Sequence, residues 1–308
     1  MYGIITHVPC SPCSFTYIIQ TINNNLTDYT LIPVVFSVGK LNISDAYHFF
    51  NSFQHHKERD DIIIWVDTPI HITKKFPDFK GKVYTTSSWN AEMIREAGVH
   101  VDGIVPRPID EKTISKTEVK TKDLDFVMIG ANIRTNDKKW FKVSRYVYMD
   151  NDTVIYDKKN VKLYRLVKGK KVLVSHDSFA DIKYHSLTQE EKYLLLARAR
   201  FYLALSHSEG FGLPPVEAMG VGTIPIFPEC HAYKDWLIGL SVKCQGYDVI
   251  DTPAMPHRFY YFDEKEMLEL TEYARGMKRE DYEELSRKIK KHAEKFYVKE
   301  VIKQLQLF

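Results

Sequence analysis

The chain is short of cysteine, of long apolar runs and of net charge, and each shortage removes a class of protein. No window reaches the roughly 18 consecutive apolar residues that a membrane-crossing helix needs. Met1-Tyr2-Gly3-Ile4 is not a charged start ahead of an extended apolar core. A cytoplasmic protein is therefore expected. Four cysteines in 308 residues do not make a disulfide framework. Cys10 and Cys13 form a Cys-x-x-Cys pair of the redox or half-zinc kind, but Cys230 and Cys244 are too widely spaced to complete a zinc motif. A formal net charge of +3 is too small to imply nucleic acid. No repeat of fixed period and no low-complexity segment is present.

What is there is an ordinary globular composition, 44% hydrophobic and 27% charged, long enough for about two domains of ~150 residues. The chain is organised around residues 206–220, Ser-His-Ser-Glu-Gly-Phe-Gly-Leu-Pro-Pro-Val-Glu-Ala-Met-Gly. The apolar run from Arg200 to Leu205 before it reads as a buried strand. Pro214 and Pro215 suit the first turn of a helix, where a missing N–H costs nothing, and Gly220 and Gly222 stop that helix. A strand, a glycine loop and a helix N-terminus together form a phosphate-binding crevice. Glu209 at the strand end and Glu217 on the first helical turn bracket it, and carboxylates there are natural acceptors for sugar hydroxyls.

The pattern Ser-x-x-Glu-Gly-Phe-Gly-Leu-Pro-x-x-Glu-Ala-Met-x-x-Gly resembles the Glu-x7-Glu signature of retaining GT-B glycosyltransferases of family 4. The resemblance implies an α/β fold of two Rossmann-like, doubly wound parallel-sheet domains facing a cleft. It implies a nucleotide-diphosphate sugar as donor substrate, with no other cofactor and no metal. Glu217 then holds the donor ribose and Glu209 lies against the donor sugar. The amides of Gly210, Phe211, Gly212 and Leu213 meet sugar and phosphate. The family also places a histidine of the first domain near the donor sugar, for which His71 or Asp67 is the candidate.

Taken in order, strands are expected at 3–8, 31–36, 61–66, 82–86 and 103–105, with helices over 15–22, 44–56 and 89–97, the alternation of a parallel sheet. The run from Thr86 through Asp110 resembles the end of a family 4 N-terminal domain. The expected organisation is an N-terminal acceptor-side domain over 1–110, reduced in size, and a polar linker over 111–122. A donor domain follows over 123–296, and a last helix over 297–308 crosses back to the first domain. Residues 125–130 resemble the first donor-domain strand, ending at Gly130 before a phosphate-binding pair. Arg134 with Lys139, or Lys138, is that pair, since a guanidinium fork and an ammonium suit a bridging diphosphate. Thr188-Gln189-Glu190-Glu191 reads as a capping box opening the helix that leads to the signature strand.

Two stretches carry rival readings. Asp150-Asn151-Asp152, between two aromatic alternating runs, reads as a hairpin tip; as an Asp-x-Asp it is also the metal site of a GT-A transferase. Residues 158–171 hold seven basic residues and no acid. They read as a solvated strand face that can also touch an anionic membrane surface, with no nucleic acid expected. The acceptor, whether glycan, lipid, protein or small molecule, stays open, and so does a non-catalytic GT-B-like binding module.

Overall fold

A computed structural model of the chain describes residues 3–5, 14–25, 62–66, 80–119, 121–136, 140–150, 154–157, 162–167, 170–174, 187–250 and 257–304. The first unit comprises β1 (Gly3–Ile5), α1 (Ser14–Asn25), β2 (Ile62–Val66), β3 (Lys82–Thr85), α2 (Ser88–Glu96) and β4 (Gly103–Ile104). Its strands pair in parallel in the order β1-β2-β3-β4, which demands crossovers such as α1 and α2 between them. Helix α1 buries Tyr17, Ile18, Thr21, Ile22 and Asn25, the one-sided spacing of an amphipathic helix. Ile18 and Ile22 join Trp65, Tyr84 and Val105 in one core. Helix α2 starts where the Ser87 side chain accepts from the Asn90 amide at 3.1 Å.

The second unit opens with α3 (Glu111–Lys116), whose Asp110 cap accepts from the amides of Lys112 and Thr113, both at 3.1 Å. The polar stretch read as a linker therefore begins as a helix, with Ile114 buried in the second core. Then come β5 (Leu124–Asn136), β6 (Trp140–Asp150), β7 (Val154–Asp157), β8 (Lys162–Val167) and β9 (Lys170–Val174). They are followed by α4 (Gln189–Arg198), β10 (Ala199–Leu203), α5 (Leu213–Gly220), β11 (Ile224–Pro228), α6 (Tyr233–Trp236) and β12 (Leu240–Val242). Last are β13 (Cys244–Ile250), β14 (His257–Phe262), α7 (Glu264–Arg275), α8 (Arg279–Ala293) and α9 (Val298–Gln304). The main sheet runs β12-β11-β10-β5-β6, parallel except for the antiparallel edge strand β6. Strands β7-β8-β9 form a separate antiparallel sheet and β13-β14 a hairpin. The architecture is α/β with two Rossmann-like parallel sheets, as the resemblance implied.

Several local readings change. The strand expected to stop at Gly130 continues to Asn136, because residues 131–136 find a ladder partner in β6. The stretch around Asp150 is not a hairpin tip: β6 pairs with β5 and β7 with β8, so its two flanking strands belong to different sheets. Cys230 and Cys244 form a disulfide, with Cα atoms 5.8 Å apart across 14 residues of sequence. The expected strand at 31–36, the helix at 44–56 and the Cys10–Cys13 pair lie outside the described residues. No helix among the described residues is long and apolar enough to cross a membrane.

Helix α9 places Val298, Val301 and Ile302 in the core of the first unit. The bridge between Ile109 and Tyr297 holds the two inter-unit strands of chain side by side.

Candidate active site

The signature folds as strand β10, a loop and helix α5. Phe201, Tyr202 and Leu203 are buried in the second core, so the loop emerges at the carboxyl end of a central strand. Gly212 caps α5 with φ of +85°, and a Cβ there would come within 2.4 Å of the Tyr233 ring; only glycine fits. Pro214 and Pro215 follow inside the first turn. At the far end a Cβ on Gly220 would meet Ile114 at 2.8 Å, so α5 and α3 touch backbone to side chain. Leu213, the first residue of α5, packs against both cores. The loop thus lies where the two units meet.

The two acids have different surroundings. Glu209 is half-buried, and its Oε1 accepts from the Ser206 hydroxyl at 2.8 Å. Glu217 has no exposed surface. It stands in the second turn of α5 rather than the first, since the helix begins at Leu213. Its Oε1 accepts from Lys192 Nζ at 2.6 Å and from the Tyr193 hydroxyl at 3.3 Å, while Oε2 is buried without a hydrogen-bond partner among the described residues. The Tyr193 hydroxyl also accepts from the Asp110 amide at 3.2 Å and lies 3.3 Å from the Tyr17 hydroxyl of α1. Burial, and then the nearby Glu217 charge, keeps both phenols protonated far above their ordinary range.

The first unit docks directly on the signature loop. The Gly210 carbonyl accepts from Thr86 Oγ1 at 2.8 Å and from Asn90 Nδ2 at 3.1 Å. Asp235 accepts from the amide and hydroxyl of Ser88, and Trp236 Nε1 donates to the Thr86 carbonyl. A carboxylate at the start of α2 also suits the positive end of that helix. Farther out, Arg258 of β14 pairs with Glu92 and Glu96 of α2 at 3.5 and 3.0 Å. Phe211 is buried between Trp236 and Phe296, so its side chain anchors the loop while its backbone shapes the turn.

Two histidines brace the loop from behind. His207 donates its Nδ1–H to the Tyr260 carbonyl at 2.6 Å, and its ring centre lies 4.5 Å from that of Phe259. His231, with φ of +38°, reaches the Ser206 carbonyl through Nε2 at 3.1 Å. Burial pushes the imidazole of His207 down to about 4 and that of His231 down to about 3.

Arg134 lies within β5 opposite Lys142, and Gly130 lies within the same ladder opposite Tyr146. Lys138, Lys139, Asp67 and His71 are outside the described residues. Lys192, Tyr193, Tyr17, Thr86, Asn90 and His231 were missed by sequence reasoning. The only sequence signal for Lys192 is its position, one helical turn beyond the Thr188 cap, where the capping box is present as read. Thr86 and Asn90 carry no such signal. Among the described residues no cluster of three or more His, Cys, Asp or Glu side chains is placed to hold a metal ion.

No protein-family model matches the chain. "Putative glycosyltransferase 48" of Sulfolobus islandicus filamentous virus is 30% identical over 254 residues, covering 80% of this chain and 75% of that protein. "Putative glycosyltransferase 63" of the same virus is 31% identical over 244 residues, covering 77% of this chain and 81% of the other. Among solved structures, the crystal structure of TarM aligns with 83% of this chain and 52% of its own at 10% identity, with a TM-score of 0.46. The extent and level of the two viral matches make this chain a member of that family of viral glycosyltransferases.

Proposed function

We propose that the protein is a retaining, hexosyltransferase-type GT-B enzyme of family 4, which moves a sugar from a nucleotide-diphosphate donor to an acceptor without a metal ion. The observation that carries the reading is the placement of Glu209 and Glu217 on either side of one glycine loop, against the docking edge of the first unit. Glu217 anchors the donor ribose and Glu209 orients the donor sugar. With Glu217 assigned to the ribose, this pair of acids leaves no dedicated nucleophile of the kind a retaining glycosidase pair provides. The simpler course is attack on the same face. The bond from the anomeric carbon to the phosphate oxygen breaks as the bond to the acceptor oxygen forms, and the departing phosphate oxygen takes the acceptor's proton.

Negative charge grows on the diphosphate as it leaves. Arg134, Lys139 and the amides from Gly210 to Leu213 supply the donors that stabilise it, Gly130 allows close backbone approach, and His71 serves the sugar from the first unit. The enzyme works in the cytoplasm. The basic stretch 158–171 meets an anionic membrane surface, and the acceptor is a glycan, a lipid, a protein or a small molecule.

The test uses purified protein with a panel of nucleotide sugars. Glu217→Ala raises the donor KM with little change in kcat. Glu209→Gln lowers kcat by about a hundredfold, the scale for losing an electrostatic contact to the reacting centre. The product keeps the donor's anomeric configuration by NMR, and chelator leaves the rate unchanged. Wild-type kinetics in both variants, or an inverted product, would sink the reading.

A further inference from the structure

The feature of this site that the reading above leaves unused is the cage around Glu217. Its carboxylate is buried, yet among the described residues only one of its oxygens has a hydrogen-bond partner. That arrangement is unfavourable for a structural ion pair, which normally satisfies both oxygens. The serving group, Lys192 of α4, is itself held on every side. Its ammonium lies 2.6 Å from Glu217 Oε1, 4.4 Å from the centre of the Tyr17 ring and 5.3 Å from that of Tyr193. Its side chain is only 14% exposed. Tyr17 comes from α1 of the first unit, and Asp110 from the cap of α3 closes the cluster through Tyr193. Among the described residues, the charged and titratable groups around Glu217 are Lys192, Tyr193 and Tyr17, while the Asp110 carboxylate is taken up by Asn25, Lys112 and Thr113.

We propose that Lys192 is a positioning residue for the donor. It keeps the Glu217 carboxylate turned, so that Oε2 meets the ribose hydroxyls, and Tyr17 couples that orientation to the placement of the first unit. The inference rests on Glu217 being the donor-binding acid. Lys192 does not touch the reacting atoms; it acts through Glu217. Without the ammonium, the longer contact from the Tyr193 hydroxyl at 3.3 Å is left to hold Oε1, and the carboxylate loses the orientation that presents Oε2 to the two hydroxyls.

The test measures binding of UDP-glucose, GDP-mannose and ADP-glucose by calorimetry. The tightest binder goes forward to the variants together with its 2′-deoxyribose counterpart. Lys192→Met raises Kd about ten- to hundredfold, the range for losing a charge-assisted hydrogen bond, and narrows the preference for the ribose donor over the deoxyribose one. Lys192→Arg restores most of the affinity and of the preference. Should the methionine variant fail to fold, Lys192→Gln keeps an N–H donor without the charge and is read by the same preference. A charge-free variant with the wild-type Kd and preference overturns the proposal, as does a raised Kd with an unchanged preference that arginine does not rescue. Glu217→Ala separates the two levels: if it binds as tightly as the wild type, the donor-binding role of Glu217 itself is wrong. If only the Lys192 variants are silent, the positioning role alone is wrong. A wild-type protein that binds none of the three sugars overturns both.

Discussion

At the scale of single residues, the site is a set of polar groups that burial has forced into fixed states. His207 and His231 are neutral because the cost of burying an imidazolium outweighs the help of one backbone carbonyl each. Their folded values lie below the ordinary value of 6.5, so between those limits the unfolded chain binds more protons than the folded one. The stability they contribute is therefore complete above about pH 7 and is lost as pH falls toward 4, by on the order of a few kcal/mol. Urea unfolding at pH 7 and pH 4.5 measures this. His231→Asn, which tolerates positive φ, is expected to show a smaller drop between the two pH values than the wild type. An equal drop would remove His231 from the account. Because both histidines hold the backbone around Ser206 and His207, the acid-induced loss starts beside Glu209.

At the scale of elements, short-range signals and long-range contacts divide the work. Helix α4 begins at a capping box in which the Thr188 hydroxyl accepts from the Glu191 amide and Glu191 accepts from the Thr188 amide, as four consecutive residues announce. The disulfide from Cys230 to Cys244 has no such signature. It joins the turn before α6, which carries His231, to the start of the β13-β14 hairpin, which carries Tyr260 and Arg258. Closing a loop of 14 residues restricts the unfolded chain by about 3 kcal/mol. Cys230→Ser is expected to lose that much stability in urea, and reductant is expected to take the wild type to the same midpoint. No change with either would mean that the bond does not form in solution. Such a bond and a cytoplasmic location pull in opposite directions, so the mass of the protein isolated without reductant bears on both.

At the scale of the whole molecule, the last helix and the signature loop tie the two units together. Ile302 of α9 is 3% exposed and packs with Ile18, Ile22, Trp65 and Tyr84. Ile302→Ala is expected to cost about 2–5 kcal/mol and to act on the first unit. Amides of β2 and β3 would exchange faster with solvent while those of β10 and β11 stay protected. Uniform acceleration in both sheets would instead mean that the units unfold as one. The sequence by itself determined the strand, glycine loop and helix of residues 199–220, the parallel α/β character, the capped helices and the pair of acids, because each depends on residues within a few positions of one another. Only the tertiary structure decided that β5 runs on past Gly130 and that β6 and β7 part into different sheets, because a strand's end depends on whether a distant partner is present. It alone brought Lys192, Tyr193 and Tyr17 around Glu217, and Thr86 and Asn90 onto Gly210. Those contacts join segments 24 to 176 residues apart, and what selects them is the burial of polar groups that must each find a partner, a requirement that no local pattern records.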